Sequence, residues 1–213
     1  MPETPLAQRV LDQIETENPN NTQVRALAAK AGKNQAAALQ VWQHGGRKQR
    51  MAAVLMLEPR QTTPELVDQL LAEVENGPQA DHETVGDWLL ANMILKKPAL
   101  LAAAGSWVAH PSPLRRRLFW TSIARTAKDT PAEVLEPLLA RLEAEMEGAP
   151  AMVQWTMNWA AAHIGIYHPG LRPRCLALGT RLGLYIHYPT PKGCTSPYLP
   201  TWIEAIVARS EPA

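Results

Sequence analysis

At 213 residues with 46% hydrophobic side chains, the chain is long enough to bury a sizeable core without staples, and its two cysteines, Cys175 and Cys194, exclude a disulfide framework or a CxxC-type zinc site. A formal net charge of +1 excludes a uniformly basic surface; instead eight acids face Arg60 alone between Glu58 and Asp87, while Arg47, Lys48 and Arg50 form one basic cluster and Arg115, Arg116 and Arg117 another. The sequence opens without a basic-then-apolar leader, and no run approaches the ~18 apolar residues of a membrane span, so a cytoplasmic protein without membrane, metal or cofactor is expected.

Helical periodicity places helices near Pro5–Asn18, Thr22–Lys30, Asn34–His44, Arg47–Leu57, Pro64–Asn76, Glu83–Leu95, Pro98–Ala109, Pro113–Lys128, Pro131–Glu147, Pro150–Ile166, Leu171–Gly183 and Pro200–Arg209. Thr63-Pro64-Glu65 and Thr130-Pro131-Ala132-Glu133 each read as a Thr N-cap, a Pro at the first helical position and an acid in the first turn. An apolar stripe follows each: Leu66, Val67, Leu70, Leu71, Val74 and Val134, Leu135, Leu138, Leu139, Leu142. Arg50 and Arg117 each precede their Thr by thirteen residues, an offset of 67 between the two units, which fits two helix-pair repeats. Pro137 removes a hydrogen bond inside its helix and predicts a kink. The Pro-, Gly- and aromatic-rich stretch Tyr185–Tyr198 reads as a folded loop before a last helix. The expected architecture is all-α, a HEAT-like helical-repeat solenoid of antiparallel helix pairs forming one domain over 1–213, with an irregular bundle as the alternative.

Seven tryptophans against one phenylalanine raise the question of whether some indoles serve as surfaces rather than core. Two pairs stand at the spacing that shares a helix side: Trp88 with Asn92, and Trp155 with Trp159. His163, His168, His187 and Cys194 match no metal-ligand spacing, and Gly45-Gly46-Arg47-Lys48 lacks the strand and glycine spacing of a phosphate loop.

Four segments together resemble a known family. Asp87-Trp88-Leu-Leu-Ala-Asn92-Met is similar to the Trp-x-x-x-Asp helix of the HEAT-like DNA alkylation repair proteins, the AlkD-like DNA glycosylases. Pro113-Leu-Arg-Arg-Arg-Leu-Phe119 resembles their next, arginine-rich helix, and Val153–Gly165 their Asn-Trp-Ala-containing one. Leu39-Gln-Val-Trp42 with Arg47–Leu57 is similar to their earlier segments, so the resemblance spans Leu39 to Gly183 in order.

That resemblance implies a C-shaped stack whose basic concave face holds duplex DNA, and, in the members that are enzymes, hydrolysis of the N-glycosidic bond of cationic N3- or N7-alkylpurines. Such a base is already a good leaving group, so the protein supplies a carboxylate for the oxocarbenium-like sugar and aromatic faces for the cation. By position Trp88 and Trp159 would be the aromatic walls. Arg116, with Arg47, Lys48, Arg50, Arg115, Arg117 and Trp155, would contact DNA. The chain departs from the pattern where the carboxylate belongs, because that position is Asn92, and the family's later arginine is replaced by Ala162. Asp87 lies about 140° around the helix from Asn92 and should face elsewhere. A near-isosteric Asn92→Asp exchange is expected to restore the missing charge. Three readings stay open: a binder of duplex, damaged or distorted DNA, expected to be monomeric, with alkylpurine glycosylase activity doubtful; a weak glycosylase acting on cationic N3- or N7-alkylpurines; and a helical-repeat adaptor for protein.

Overall fold

The structure, a computed structural model, describes residues 4–210, and among them holds twelve α-helices, three short 3-10 turns and no strand. The helices are α1 Pro5–Glu17, α2 Asn21–Ala31, α3 Gln35–Gln43, α4 Arg47–Met56, α5 Pro64–Glu75, α6 Gln79–Asn92, α7 Pro98–Ala104, α8 Pro113–Thr126, α9 Ala132–Glu145, α10 Ala151–Tyr167, α11 Arg172–Leu182 and α12 Leu199–Ser210. The all-α expectation is met helix for helix. The chain divides into two compact units, 1–106 and 107–213.

Local chemistry sets most of the boundaries. Thr4 accepts from the Ala7 amide with Pro5 behind it, Asn20 and Gln23 close a reciprocal capping box, and Asn34, Thr63 and Ser112 cap α3, α5 and α8. Asn18 ends α1 in the left-handed conformation at φ 44°, as Gly183 ends α11 at φ 62°.

Three local expectations need correction. Thr130 does not cap α9: its hydroxyl donates to the Thr126 carbonyl at 2.9 Å, and α9 starts at Ala132 with the Pro131 carbonyl taking its first amides. The sixth helix begins at Gln79, not Glu83, so Asp81 lies in its first turn. After Ala104 the seventh helix tightens into a 3-10 turn, Gly105–Ala109. Pro137, for its part, sits inside α9, which continues to Glu145.

In the first unit α3 packs on α4, α4 on α2 and α6, and α5 on α6, burying Val41, Trp42, Met51, Met56, Leu70 and Leu89 among others. The second unit is organised around α10, which packs on α8 most extensively and also on α9, α11 and α12. With contacts on so many sides, α10 is apolar nearly all round, and Ala160, Ala161, Ala162 and Gly165 allow close approach. A Cβ at Gly165 would stand 2.6 Å from Ile203 Cδ1, and one at Gly179 of α11 would stand 2.6 Å from the Pro200 ring and 2.7 Å from Leu199 Cβ. Those two glycines let α12 seat on α10 and α11.

Candidate functional site

The segment Asp87–Asn92 forms the last two turns of α6, so Trp88 and Asn92 do lie on one side of a helix. The Trp88 indole Nε1 donates to the Met51 carbonyl at 2.9 Å, which fixes the ring against α4. Arg25 of α2 lies over that ring, its guanidinium carbon 4.0 Å from the ring centroid. The same guanidinium donates through Nη1 to Asn92 Oδ1 at 3.2 Å. Asn92 in turn donates through Nδ2 to the Trp88 carbonyl at 2.8 Å. Reversing the amide would set donor against donor and acceptor against acceptor, so the network dictates its orientation.

This arrangement changes the chemistry expected at the position. An indole face that would attract a cationic base already carries a cation of the protein. A carboxylate at 92 would not be an electrostatically silent exchange either: one of its oxygens would replace Nδ2 opposite the Trp88 carbonyl, and the other would face Arg25. Sequence reasoning missed Arg25 altogether. It lies 67 residues from Asn92 on an exposed part of α2, and no local spacing connects the two.

The first basic cluster does not present three equivalent cations. Arg47 is paired with Asp81 at 2.5 Å and donates to the Ala80 carbonyl at 3.0 Å, while Lys48 donates to the carbonyl and side chain of Asn18. Arg50 is only 8% exposed, its guanidinium 5.3 Å from the Trp42 ring, with Nε and Nη1 buried and unpartnered. Arg115 and Arg117 in α8 are buried to a similar degree, the former over Trp107 at 5.7 Å and the latter donating to the Met152 carbonyl at 3.2 Å. Burial therefore makes Arg50, Arg115 and Arg117 packing residues within their units. The 67-residue echo between Arg50 and Arg117 is an echo of buried positions. Arg116 alone of its cluster stays partly exposed, its Nε buried without a partner.

On α10, Trp159 donates through Nε1 to His163 Nε2 at 2.8 Å, and the two rings meet edge to face at 5.7 Å. The acceptor role leaves the histidine proton on Nδ1. Tyr167 and Trp202 also pack edge to face on His163, at 5.6 and 6.3 Å. Burial, and secondarily the Arg125 charge, hold His163 below its ordinary value, partly opposed by a hydrogen bond to the Ala124 backbone. The i, i+4 spacing of Trp159 and His163 was the available signal for this pair.

Trp155, one turn earlier, leads a different life. It packs edge to face on Tyr185 at 5.2 Å and against Tyr188 at 5.5 Å, both from the loop between α11 and α12. Trp155 and Trp159 thus have separate partners. Of the two thiols, Cys175 is buried, which pushes it up to about 12, and Cys194 is exposed. Among the described residues no group of three His, Cys, Asp or Glu side chains could hold a metal ion, and no helix is long and apolar enough to cross a membrane.

Comparison with known proteins follows the same lines. A solved structure titled "A new family of proteins related to the HEAT-like repeat DNA glycosylases with affinity for branched DNA structures" superposes with a TM-score of 0.65 at 12% identity, covering 97% of this chain and 88% of that one. At that identity the likeness concerns the fold, which is the all-α HEAT-like one. No curated protein sequence is significantly similar to the chain. The profile of the DNA alkylation repair enzyme family matches residues 12–198, which takes in Arg25, Trp88, Asn92, Arg116 and Trp159, and the chain belongs to that family.

Proposed function

We propose that this protein binds DNA, duplex or distorted, and does not efficiently release alkylated bases. One observation carries the reading: the oxygen of the Asn92 amide, at the position where the resemblance implies a carboxylate, is held by Arg25, and that same guanidinium covers the Trp88 face. Base excision requires negative charge beside a developing oxocarbenium ion, and the local charge here has the opposite sign. An exposed guanidinium on an indole suits phosphate, or an unpaired neutral base, better than a cationic purine. Arg116, the partly exposed arginine of α8, is a further proposed phosphate contact. The superposed protein's reported affinity for branched DNA supports including branched substrates among the ligands.

The test uses fluorescently labelled duplex, fork and four-way-junction DNA titrated with protein from low to physiological salt, together with release of free base from methylated duplex. The expected result is salt-sensitive binding whose log–log salt slope falls by about one unit in Arg116→Ala, with base release close to the uncatalysed rate. Absence of salt-sensitive binding at micromolar protein would overturn the DNA reading and leave the protein-adaptor alternative. Robust native base release would establish the glycosylase alternative instead.

A further inference from the structure

The loop between α11 and α12 builds a pocket that the resemblance to glycosylases does not account for. Gly183, Tyr185 and Gly193 take left-handed conformations at φ 62°, 63° and 87° to fold it, the Tyr188 amide donates to the Tyr185 carbonyl at 3.0 Å, and the Thr190 hydroxyl donates to the Tyr188 carbonyl at 3.0 Å. Its far end is anchored from within: Asn158, 1% exposed in α10, donates to the Pro197 carbonyl at 2.9 Å. A cavity of about 310 Å³ results, lined by Trp155, Tyr188, Thr190, Thr195, Pro197 and Trp202.

Its chemistry narrows the occupant. Three aromatic residues and two threonines line it, and Tyr188 is 48% exposed although it is a large ring. The volume is at the lower end of small-ligand sites, enough for one flat heteroaromatic group. Residues 148–203 contain no aspartate or glutamate at all, while Lys192 lies exposed in the loop beside the pocket and Arg172 spends its guanidinium on the Gly165 and Ile166 carbonyls rather than on a carboxylate. A polyanion whose flat rings come unstacked suits all of these features.

We infer that this pocket receives one unstacked base of a DNA branch or single-stranded gap, stacked against Tyr188 and Trp155, with Lys192 toward the adjoining phosphate. The inference rests on the DNA-binding reading and gives it a substrate class: DNA with an unpaired base next to duplex. Stacking of one base on an aromatic side chain is worth roughly 1–3 kcal/mol, or about 5- to 150-fold in affinity.

The experiment compares native protein, Tyr188→Ala and Tyr188→Phe on a forked DNA and on a fully paired duplex of the same sequence, with circular dichroism melts confirming the fold of each variant. Tyr188→Ala should weaken the fork at least fivefold and leave the duplex within twofold, and Tyr188→Phe should retain fork binding. A second readout needs no variant: Cys194 lines the pocket and is exposed while Cys175 is buried, so fork DNA should slow iodoacetamide modification of Cys194 and paired duplex should not. Equal effects of Tyr188→Ala on both DNAs, or no effect on either, with Cys194 unprotected, would overturn the pocket assignment while leaving DNA binding in place. Failure of the native protein to bind either DNA would overturn both. Binding of a proline-rich decapeptide that Tyr188→Ala abolishes, without fork selectivity, would assign the pocket to protein instead.

Discussion

Exchanging Asn92 for aspartate restores the carboxylate that the resemblance implies, but the geometry around it imposes a cost. Arg25 donates to Oδ1 at 3.2 Å, and the amide nitrogen donates to the Trp88 carbonyl at 2.8 Å. In Asn92→Asp the second bond becomes an oxygen–oxygen repulsion, so the carboxylate turns toward Arg25 and is neutralised there. At about 4 Å in a medium of effective dielectric 20 the gross attraction is about 4 kcal/mol, but Arg25 is exposed, and measured exposed pairs keep only about 0.2–1 kcal/mol. That is enough to orient the group. Base release from methylated duplex should therefore rise less than about threefold in Asn92→Asp, and the Arg25→Ala/Asn92→Asp double variant, whose carboxylate is unpaired, should exceed it by at least about tenfold, a fraction of what preorganised charge commands. Arg25→Ala alone removes a cation–π contact of about 0.5–1 kcal/mol and a hydrogen bond of about the same worth, lowering the melting temperature by roughly 3–6 °C. Single-turnover base release and thermal melts on all four members of the cycle measure both quantities. A tenfold gain in Asn92→Asp alone, or a melting temperature unchanged by Arg25→Ala, would refute the claim that Arg25 governs this position.

Two further outcomes follow from packing and protonation. Gly179→Ala sets a methyl against the Pro200 ring and Leu199 Cβ, neither of which can rotate away, so it should cost about 2 kcal/mol and lower the melting temperature by roughly 4–8 °C in a thermal scan. His163 is held below its ordinary value of 6.5 by burial, so the unfolded chain takes up a proton that the folded one resists. Its contribution is present above the unfolded value and lost as pH falls through the folded one; melts at pH 8 and pH 5 should show a larger acid loss in the native protein than in His163→Gln, and equal losses would refute it.

The helices were legible because their signals are local. Thr63 ahead of Pro64, Ser112 ahead of Pro113 and the 3.6-residue stripes act within a turn or two, and those elements stand within a residue or two of expectation. Thr130 misled because its hydroxyl had a competing local acceptor, the Thr126 carbonyl one turn back, which the pattern Thr-Pro-x-Glu does not reveal. The arginine clusters show a different limit of the sequence. Charge in sequence says nothing of burial, and a guanidinium can be buried near an indole, as Arg50 is near Trp42 and Arg115 near Trp107, inside the packing of its unit.

Arg25 shows where reading by motif ends. The Trp88–Asn92 spacing identifies a helix face, and the amide at its end admits two physical histories that the motif cannot separate: a carboxylate site that lost its charge, or a site rebuilt for another ligand. A bare loss would leave the indole face open and the amide without a defined partner. Instead one guanidinium satisfies both, seated on the ring and bonded to the amide oxygen, while the amide nitrogen is bonded to the helix carbonyl. Asparagine is the side chain that fits this position, because it must accept from Arg25 and donate to the Trp88 carbonyl at once, and a carboxylate cannot donate. The residue is therefore matched to its neighbours, and the charged group seated at this helix face is a cation.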